Sequence, residues 1–172
     1  MKSIVIYSSL TGNTKQVAEA ITSVLPAGTP CVSMKEVPSD LSSYDLVFAG
    51  FWVDKGTANK EARDVLGTLH NPHIALFATA GVPPQMAHAK ESLINAANCL
   101  PDGVEPVGTF ICQGKVDPKV IEMMYKMFPK GHSHGQSADR DARHKQAAVH
   151  PNEDDFKAAQ DFAQHILAKL ER

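Results

Sequence analysis

The sequence predicts an α/β protein built on a doubly wound, five-stranded parallel sheet. Two observations carry this prediction. Short apolar runs alternate along the chain with longer segments in which apolar residues recur at helical spacing. Such runs are typical of parallel strands that are buried on both faces and joined by crossover helices. The chain of 172 residues, 43% of them hydrophobic, is also long enough for one domain with a substantial core, so we expect a single domain over 1–172.

The first half of the chain supplies three predicted strands and two helices. Residues 4–7 form the first strand, and a helix follows over 14–25 with its apolar residues on one face. Apolar runs at 31–34 and 46–50 predict the second and third strands. Residues 62–69 have apolar side chains at i, i+3, i+4 and i+7, which predicts a second helix.

The second half continues the same alternation. Residues 74–78 form the fourth predicted strand, a helix runs over 84–97, and residues 107–112 form the fifth strand. The closing helix begins at Pro151 with three acidic residues near its positive end and then carries a long apolar stripe. The sheet is therefore expected to be covered on both faces.

An extra segment, residues 113–150, separates the fifth strand from the closing helix. Asp117 followed by proline predicts a helix start, and Pro129 ends that helix. Residues 130–150 are polar and are predicted to be a loop of the kind that is functional or disordered. The loop is rich in histidine and in basic residues, namely His132, His134, His144, His150, Lys130, Arg140, Arg143 and Lys145.

These histidines lack the i, i+4 spacing of an H-E-x-x-H zinc site, so surface histidines are favoured over a metal site. The basic excess is explained either by solubility alone or by attraction of an anionic partner or substrate, such as a propionate-bearing tetrapyrrole.

The strongest functional signal lies between the first strand and the first helix, where the chain reads Ser9-Leu10-Thr11-Gly12-Asn13-Thr14. Backbone N–H groups at a helix N-terminus have no partner inside the helix and attract anions. The hydroxyls of Ser9, Thr11 and Thr14 can donate further hydrogen bonds. Gly12 permits close approach of the backbone, and Asn13 tolerates turn geometry. The stretch predicts a phosphate-binding loop built from neutral donors.

This loop resembles the FMN phosphate loop of the flavodoxins, whose pattern Ser/Thr-x-Thr-Gly-x-Thr is matched by Ser9, Thr11, Gly12 and Thr14. It is neither a Walker loop nor a G-x-G-x-x-G dinucleotide fingerprint. The resemblance implies a flavodoxin-like fold with strand order 2-1-3-4-5 and FMN as cofactor. FMN would lie at the carboxyl ends of the strands, where the loops after strands one, three and four meet.

The loop after the third strand would contact the flavin ring, and it reads Phe51-Trp52-Val53-Asp54-Lys55-Gly56. The resemblance places Trp52, the only tryptophan, where flavodoxins stack an aromatic on the ring; the alternative is a plain hydrophobic anchor. Val53 stands where flavodoxins often have a glycine that lets a peptide flip. A β-branched residue at positive φ costs about 1–2 kcal/mol, so we expect weaker stabilisation of the one-electron-reduced flavin, unless Gly56 provides the flip.

The loop after the fourth strand, Thr79-Ala80-Gly81, would reach the pyrimidine end of the flavin. Its small residues let backbone N–H groups approach the ring. Flavodoxins often carry a second stacking aromatic in this loop, and this chain has none there. One face of the flavin would therefore be open to a substrate or covered by the 113–150 segment.

Composition argues against several other classes of protein. A net charge of −2 gives no support to nucleic-acid binding and departs from the strong acidity usual in flavodoxin carriers. No apolar stretch approaches the roughly 18 residues that span a bilayer, and the N-terminus has no signal-peptide pattern, so we expect a cytoplasmic protein. Cys31, Cys99 and Cys112 form no C-x-x-C pair and are predicted to be buried, reduced thiols.

Three functions are consistent with these residues. The leading interpretation is an FMN electron-transfer protein, reduced by a reductase or ferredoxin and delivering electrons to a partner reductase; it needs no catalytic side chains, because the flavin carries the chemistry. The alternative is an FMN-dependent reductase of a quinone or tetrapyrrole, with 113–150 as a lid. The third is a binding module that has lost its flavin, against which the intact Thr11-Gly12-Asn13-Thr14 argues.

A narrower resemblance rests on Trp-Val-Asp-Lys-Gly after the third strand and His-Pro-Asn before the closing helix. It is to flavodoxin-domain proteins of which some accompany bacterial reductases, including those acting on bilirubin-type tetrapyrroles.

Overall fold

The structure, a computed structural model, describes all residues from 1 to 172. The strands are β1 (Ser3–Tyr7), β2 (Cys31–Ser33), β3 (Leu46–Asp54), β4 (Thr57–Ala58), β5 (His73–Ala80) and β6 (Gly108–Gln113). The helices are α1 (Asn13–Thr22), α2 (Lys60–Leu66), α3 (Ala87–Ala97), α4 (Pro118–Met127), α5 (Ala138–Ala147) and α6 (Glu153–Leu170). None of the six helices combines the length and the hydropathy needed to cross a membrane.

Five of the strands are parallel and follow the order β2-β1-β3-β5-β6. It corresponds to the predicted order 2-1-3-4-5, in which β5 and β6 are the predicted fourth and fifth strands. The short strand β4 was not predicted and lies outside the parallel path. β4 pairs antiparallel with the end of β3, Val53 lying opposite Ala58. The prediction of a doubly wound α/β fold with this strand order is confirmed.

The sheet separates two apolar cores because side chains alternate along each strand. On one face α2 and α3 cover Ile4, Val47 and Leu76. On the other face α1 and α6 cover the alternate residues of the same strands, such as Val5 and Phe48. Continuous apolar runs are required here because both faces of the strands are buried.

The predicted loop over 130–150 is wrong in one respect, because α5 occupies its second half. Only Ala147 of α5 is buried, so the helix has no apolar stripe to reveal it. Its ends are nevertheless well formed. The Ser137 hydroxyl accepts a hydrogen bond from the Arg140 N–H, acidic residues occupy the first turn, and basic residues occupy the last turn.

The helices α4 and α5 form a pair beside the sheet. The Tyr125 hydroxyl donates to an Asp141 carboxylate oxygen at 2.9 Å and lies 3.1 Å from Nδ1 of His144. One face of α4, formed by Ile121, Met124 and Tyr125, is half-buried, but no residue of α4 is fully buried. In contrast to the other helices, neither α4 nor α5 packs closely on the sheet.

The expectation of solvated histidines holds for only part of the group. His132 and His134 are exposed, and the His132 ring stacks on Phe128 with ring centroids 4.6 Å apart. His144 is half-buried on α5. His150 is also half-buried, its Nδ1 lying 2.6 Å from a carboxylate oxygen of Asp155. These two histidines are structural parts of the segment rather than free surface groups.

Candidate cofactor site

A cleft of about 250 Å³ opens at the carboxyl ends of β1, β3 and β5. These are the strands whose following loops were predicted to form the site. Most of the predicted residues line it: Ser9, Leu10, Thr11, Asn13, Thr14, Trp52, Val53, Asp54, Lys55, Thr79, Ala80 and Gly81. The predicted Gly12, Phe51 and Gly56 do not line the cleft.

One end of the cleft is the N-terminus of α1. Gly12 caps the helix at φ 96°, a conformation that favours glycine. The first hydrogen bond within the helix runs from the Gln16 N–H to the Gly12 carbonyl at 3.1 Å. The N–H groups of residues 13–15 lie ahead of that bond and have no helical acceptor. The first turn carries no acidic residue, so this end is suited to an anion.

The hydroxyls of the loop have distinct roles. Thr14 is buried, and its Oγ1 lies 2.9 Å from Oγ1 of Thr79, which ties the loop to the end of β5. The Ser9 hydroxyl oxygen accepts a hydrogen bond from the Gly12 N–H at 3.1 Å, so its own proton is still available to a ligand. All three predicted phosphate donors line the cleft; the hydroxyls of Ser9 and Thr11 donate to no group in the protein, whereas Thr14 shares a hydrogen bond with Thr79.

A buried polar cluster under the loop fixes its position. The Ser8 hydroxyl donates to a carboxylate oxygen of Glu61 at 2.6 Å and accepts from the Asn59 side-chain amide at 2.8 Å. Ser8 and Asn59 are almost fully buried. The cluster joins the end of β1 to the start of α2, and no spacing in the sequence pairs these residues.

The other end of the cleft is formed by the β3–β4 hairpin. Lys55 and Gly56 make its two-residue turn, both at positive φ (50° and 77°), as a type I′ hairpin turn requires. Trp52 lines the cleft one residue after Phe51, whose side chain is fully buried in the core. The Phe51 side chain faces away from the cleft, because the period-two alternation of β3 turns it away from Trp52.

The hairpin also changes the interpretation of Val53. Val53 lies inside β3 and pairs with Ala58, so it does not adopt the positive φ on which the predicted penalty depended. The positive-φ positions are Lys55 and Gly56, as the alternative with Gly56 anticipated. The Gly56 carbonyl accepts a hydrogen bond from the Asn95 side-chain amide of α3 at 2.7 Å, which holds the turn against that helix.

A third wall was missed by the sequence-based prediction of site residues. It comes from the loop after β6 and the start of α4, and its members are Gly114, Lys115, Val116, Asp117 and Val120. The Asn13 side-chain amide donates to the Lys115 carbonyl at 2.8 Å and brings this loop to the phosphate end. Gly114 is needed beneath it, because a Cβ there would lie 2.8 Å from Nδ2 of Asn13.

The lining of the cleft is suited to a flavin mononucleotide. Unbonded N–H groups and two hydroxyls converge at one end, where a phosphate would bind. An aromatic side chain and valines occupy the other end, where a ring would bind. Two lysines and two aspartates line the cleft, so its side chains add no net charge against an anionic ligand: Lys55, Lys115, Asp54 and Asp117.

Comparison with known proteins agrees with this geometry. The family model described as flavodoxin domain matches residues 4–164. The flavodoxin-like domain-containing protein BilS of Clostridioides difficile is 35% identical over 176 residues, covering 98% of each chain.

Two solved structures share the fold at lower identity. A Streptococcus pneumoniae flavodoxin covers 98% of this chain and 99% of its own, with a TM-score of 0.58 and 15% identity. A Lactobacillus acidophilus flavoprotein in complex with FMN covers 64% of this chain and 93% of its own, with a TM-score of 0.50 and 19% identity. The family assignment supports the FMN cofactor predicted from the phosphate loop. With a domain match over nearly its whole length and a cleft built at the flavin-binding edge of the sheet, the chain belongs to the flavodoxin family.

Proposed function

We propose that this protein binds FMN in the cleft and transfers electrons between partner proteins. The observation that carries the proposal is the pairing of a donor-rich helix N-terminus with an aromatic wall at the carboxyl ends of the central strands. The Lactobacillus acidophilus flavoprotein has the same fold and is described as a complex with FMN. When bound, FMN supplies the redox chemistry, and the protein supplies binding and orientation.

The roles of the residues follow from their positions. The N–H groups of residues 13–15 and the hydroxyls of Ser9 and Thr11 would hold the phosphate. Trp52 would pack on the ring, and the backbone of 79–81 would hydrogen-bond its pyrimidine end. Asn13 acts on the phosphate end indirectly, because its side chain is engaged by the Lys115 carbonyl. No side chain is assigned to bond making or breaking.

Exposed apolar side chains beside the cleft support a partner-binding role. Leu10 and Val120 line the cleft and are 66% and 43% exposed. Met123 and Met127 follow on α4 at i+3 and i+7 from Val120, and both are exposed. Grouped apolar exposure on a protein of this size is typical of an interaction surface. A redox partner that docks here would lie next to the cofactor.

The first experiment is a titration of the flavin-free protein with FMN and, separately, with riboflavin, followed by flavin fluorescence. We expect FMN to bind more tightly because riboflavin lacks the phosphate. Thr11→Ala should weaken FMN binding about tenfold, the size of one charge-assisted hydrogen bond, and leave riboflavin binding unchanged. Thr109→Ala, at an exposed position on β6, is the matched control. Failure to bind FMN would contradict the proposal.

A second candidate function, direct reduction of a small substrate, is favoured by one observation. The loop of 79–81 brings no aromatic side chain to the cleft, which leaves the ring accessible beside the α4–α5 segment. The FMN-loaded protein should be incubated with NADPH and a soluble quinone without any partner. Sustained NADPH oxidation would support the enzyme, and turnover only after addition of a separate reductase would support the carrier.

A further inference from the structure

A second cavity, of about 350 Å³, adjoins the cofactor cleft. The two share Gly81 and Val116 as lining residues. A Cβ at position 81 would lie 2.7 Å from Cγ2 of Val116, so only glycine lets the two loops meet this closely. A molecule in the second cavity would therefore sit directly beside a molecule in the cleft.

The polar part of this cavity is cationic. Arg140 and Arg143 of α5 line it, both half-buried, and no carboxylate side chain does. Neither arginine forms an ion pair, since the protein's five ion pairs involve only lysines and one histidine as the basic partner. The Arg140 guanidinium donates to the Ser133 carbonyl and approaches Sδ of Met124 at 4.0 Å. Arg143 has no hydrogen-bond acceptor in the protein.

The two arginines give the cavity a fixed positive charge, because a guanidinium stays protonated at pH 7. Burial, and then the neighbouring Arg140 charge, lower the pKa of His144 below its ordinary value, which favours the neutral ring at pH 7. Asp141 lies nearby but forms no ion pair with either arginine. Its two carboxylate oxygens accept hydrogen bonds from Tyr125 and Gln136 instead. A guanidinium carries five donors in a planar fork that matches a carboxylate in two parallel hydrogen bonds.

The other lining residues are Gly81, three histidines (His88, His134 and His144) and four apolar residues. Val82, Met86, Val116 and Met124 line the cavity together with the two arginines. A site of this kind, concave and apolar with a few convergent polar groups, is suited to a small organic molecule. Methionine side chains adapt their shape to such a ligand.

We propose that this cavity binds a small organic molecule with an apolar body and a carboxylate group, placed beside the cofactor cleft. The carboxylate pairs with Arg143, and the apolar body packs on the valines and methionines. The phosphate loop does not line the cavity. Binding there accordingly does not require FMN, and the proposal goes beyond electron transfer between proteins.

The test uses 2-naphthoate as the probe and 2-naphthamide as its uncharged isostere, with binding measured by calorimetry on the FMN-free and FMN-saturated protein. We expect 2-naphthoate to bind in both states and the amide to bind at least about tenfold more weakly. Arg143→Gln should weaken 2-naphthoate binding by a similar factor. Because Arg143 makes no hydrogen bond or ion pair within the protein, this variant should melt like the parent protein in circular dichroism.

Lys145→Gln is the matched control, since it removes one exposed positive charge from the same helix outside the cavity. It should leave 2-naphthoate binding unchanged. The proposal is overturned if 2-naphthoate does not bind, if the amide binds equally well, if both variants lose affinity equally, or if FMN displaces the probe. A protein that binds 2-naphthoate through Arg143 but does not bind FMN would support this inference and contradict the proposed function.

Discussion

Gly50 lies at a tightly packed position in the sheet, where β3 pairs with β5. A Cβ at Gly50 would lie 2.1 Å from the ring of Phe77, its register partner, which is fully buried. Gly50→Ala should destabilise the protein by about 3 kcal/mol or more, because neither the ring nor the strand has space to move. Urea unfolding followed by circular dichroism measures this loss.

Gly67 provides the matched comparison for this glycine. It has helical backbone angles, and a Cβ there would meet only ordinary contacts, the nearest at 3.6 Å. Gly67→Ala should leave stability unchanged or raise it by about 0.4–1 kcal/mol, since alanine loses less freedom on folding. Equal effects of the two substitutions would show that packing against Phe77 is not the cause.

Cys112 is the most buried of the three cysteines, and we expect it to be the least reactive. Burial, with a smaller contribution from the Asp155 charge, raises the pKa of its thiol to about 12. Because the thiolate is the nucleophile, Cys112 should resist iodoacetamide at pH 8 until the protein is unfolded. Mass spectrometry of the modified protein should show the half-buried Cys99 alkylated first. Early modification of Cys112 in the folded protein would contradict the burial assigned to it.

At the residue scale, the part of the cleft that the sequence predicted is the part whose residues stand next to one another in the chain. Ser9 to Thr14 are recognisable because the hydroxyls and the glycine stand together between a strand and a helix. The side chain of Phe51 lies in the core and not in the cleft, which could not be predicted because two adjacent aromatic residues do not reveal which one faces the core. Lys115 could not be placed at all, since only the tertiary hydrogen bond from Asn13 brings it to the loop.

At the element scale, the number of buried residues, and not capping, distinguishes helices that hold the fold from helices that do not. In α6 the Asn152 side chain accepts from the N–H groups of Asp154 and Asp155, and the Asp155 carboxylate accepts from the Asn152 N–H. In α5 the cap is Ser137. The two caps are similar, but α6 contributes three buried residues to a core and α5 contributes only Ala147.

Asn152→Ala should therefore lower the free energy of unfolding of the whole protein by about 1 kcal/mol. Ser137→Ala removes a comparable cap, but its effect should be confined to faster amide exchange within α5, because α5 is not needed by the core. Denaturant unfolding combined with hydrogen exchange separates the two outcomes. A global loss of stability in Ser137→Ala would show that α5 is part of the cooperative fold.

The elements that the sequence predicted are those with apolar patterns. Strands buried on both faces need continuous apolar runs, so the five parallel strands were recognisable. The helix α5 has no such pattern, and its signal lay instead in Ser137 followed by acidic and then basic residues. β4 is only two residues long and depends on the turn at Lys55-Gly56 for its pairing.

At the scale of the whole molecule, a phosphate that binds the N–H groups of residues 13–15, which have no helical acceptor, should stabilise the folded state. Adding FMN at about 100 times its dissociation constant should stabilise the protein by about 2.7 kcal/mol. Riboflavin at the same concentration should raise the melting temperature less, because it leaves the N–H groups of residues 13–15 unbonded. Scanning calorimetry measures the change in melting temperature with each ligand. Equal changes would show that the phosphate contributes nothing to binding and that the flavin ring supplies all of it.

The two ends of the α4–α5 segment meet, because the Lys115 N–H donates to the His150 carbonyl at 2.8 Å. A stretch that leaves and returns at one point adds no distance between β6 and α6, and a short turn can replace it there. The segment is therefore an insertion that can vary without moving the elements on either side of it. Sequence changes confined to this one contiguous stretch can alter what the protein binds while the strands and the loop of residues 9–14 stay the same.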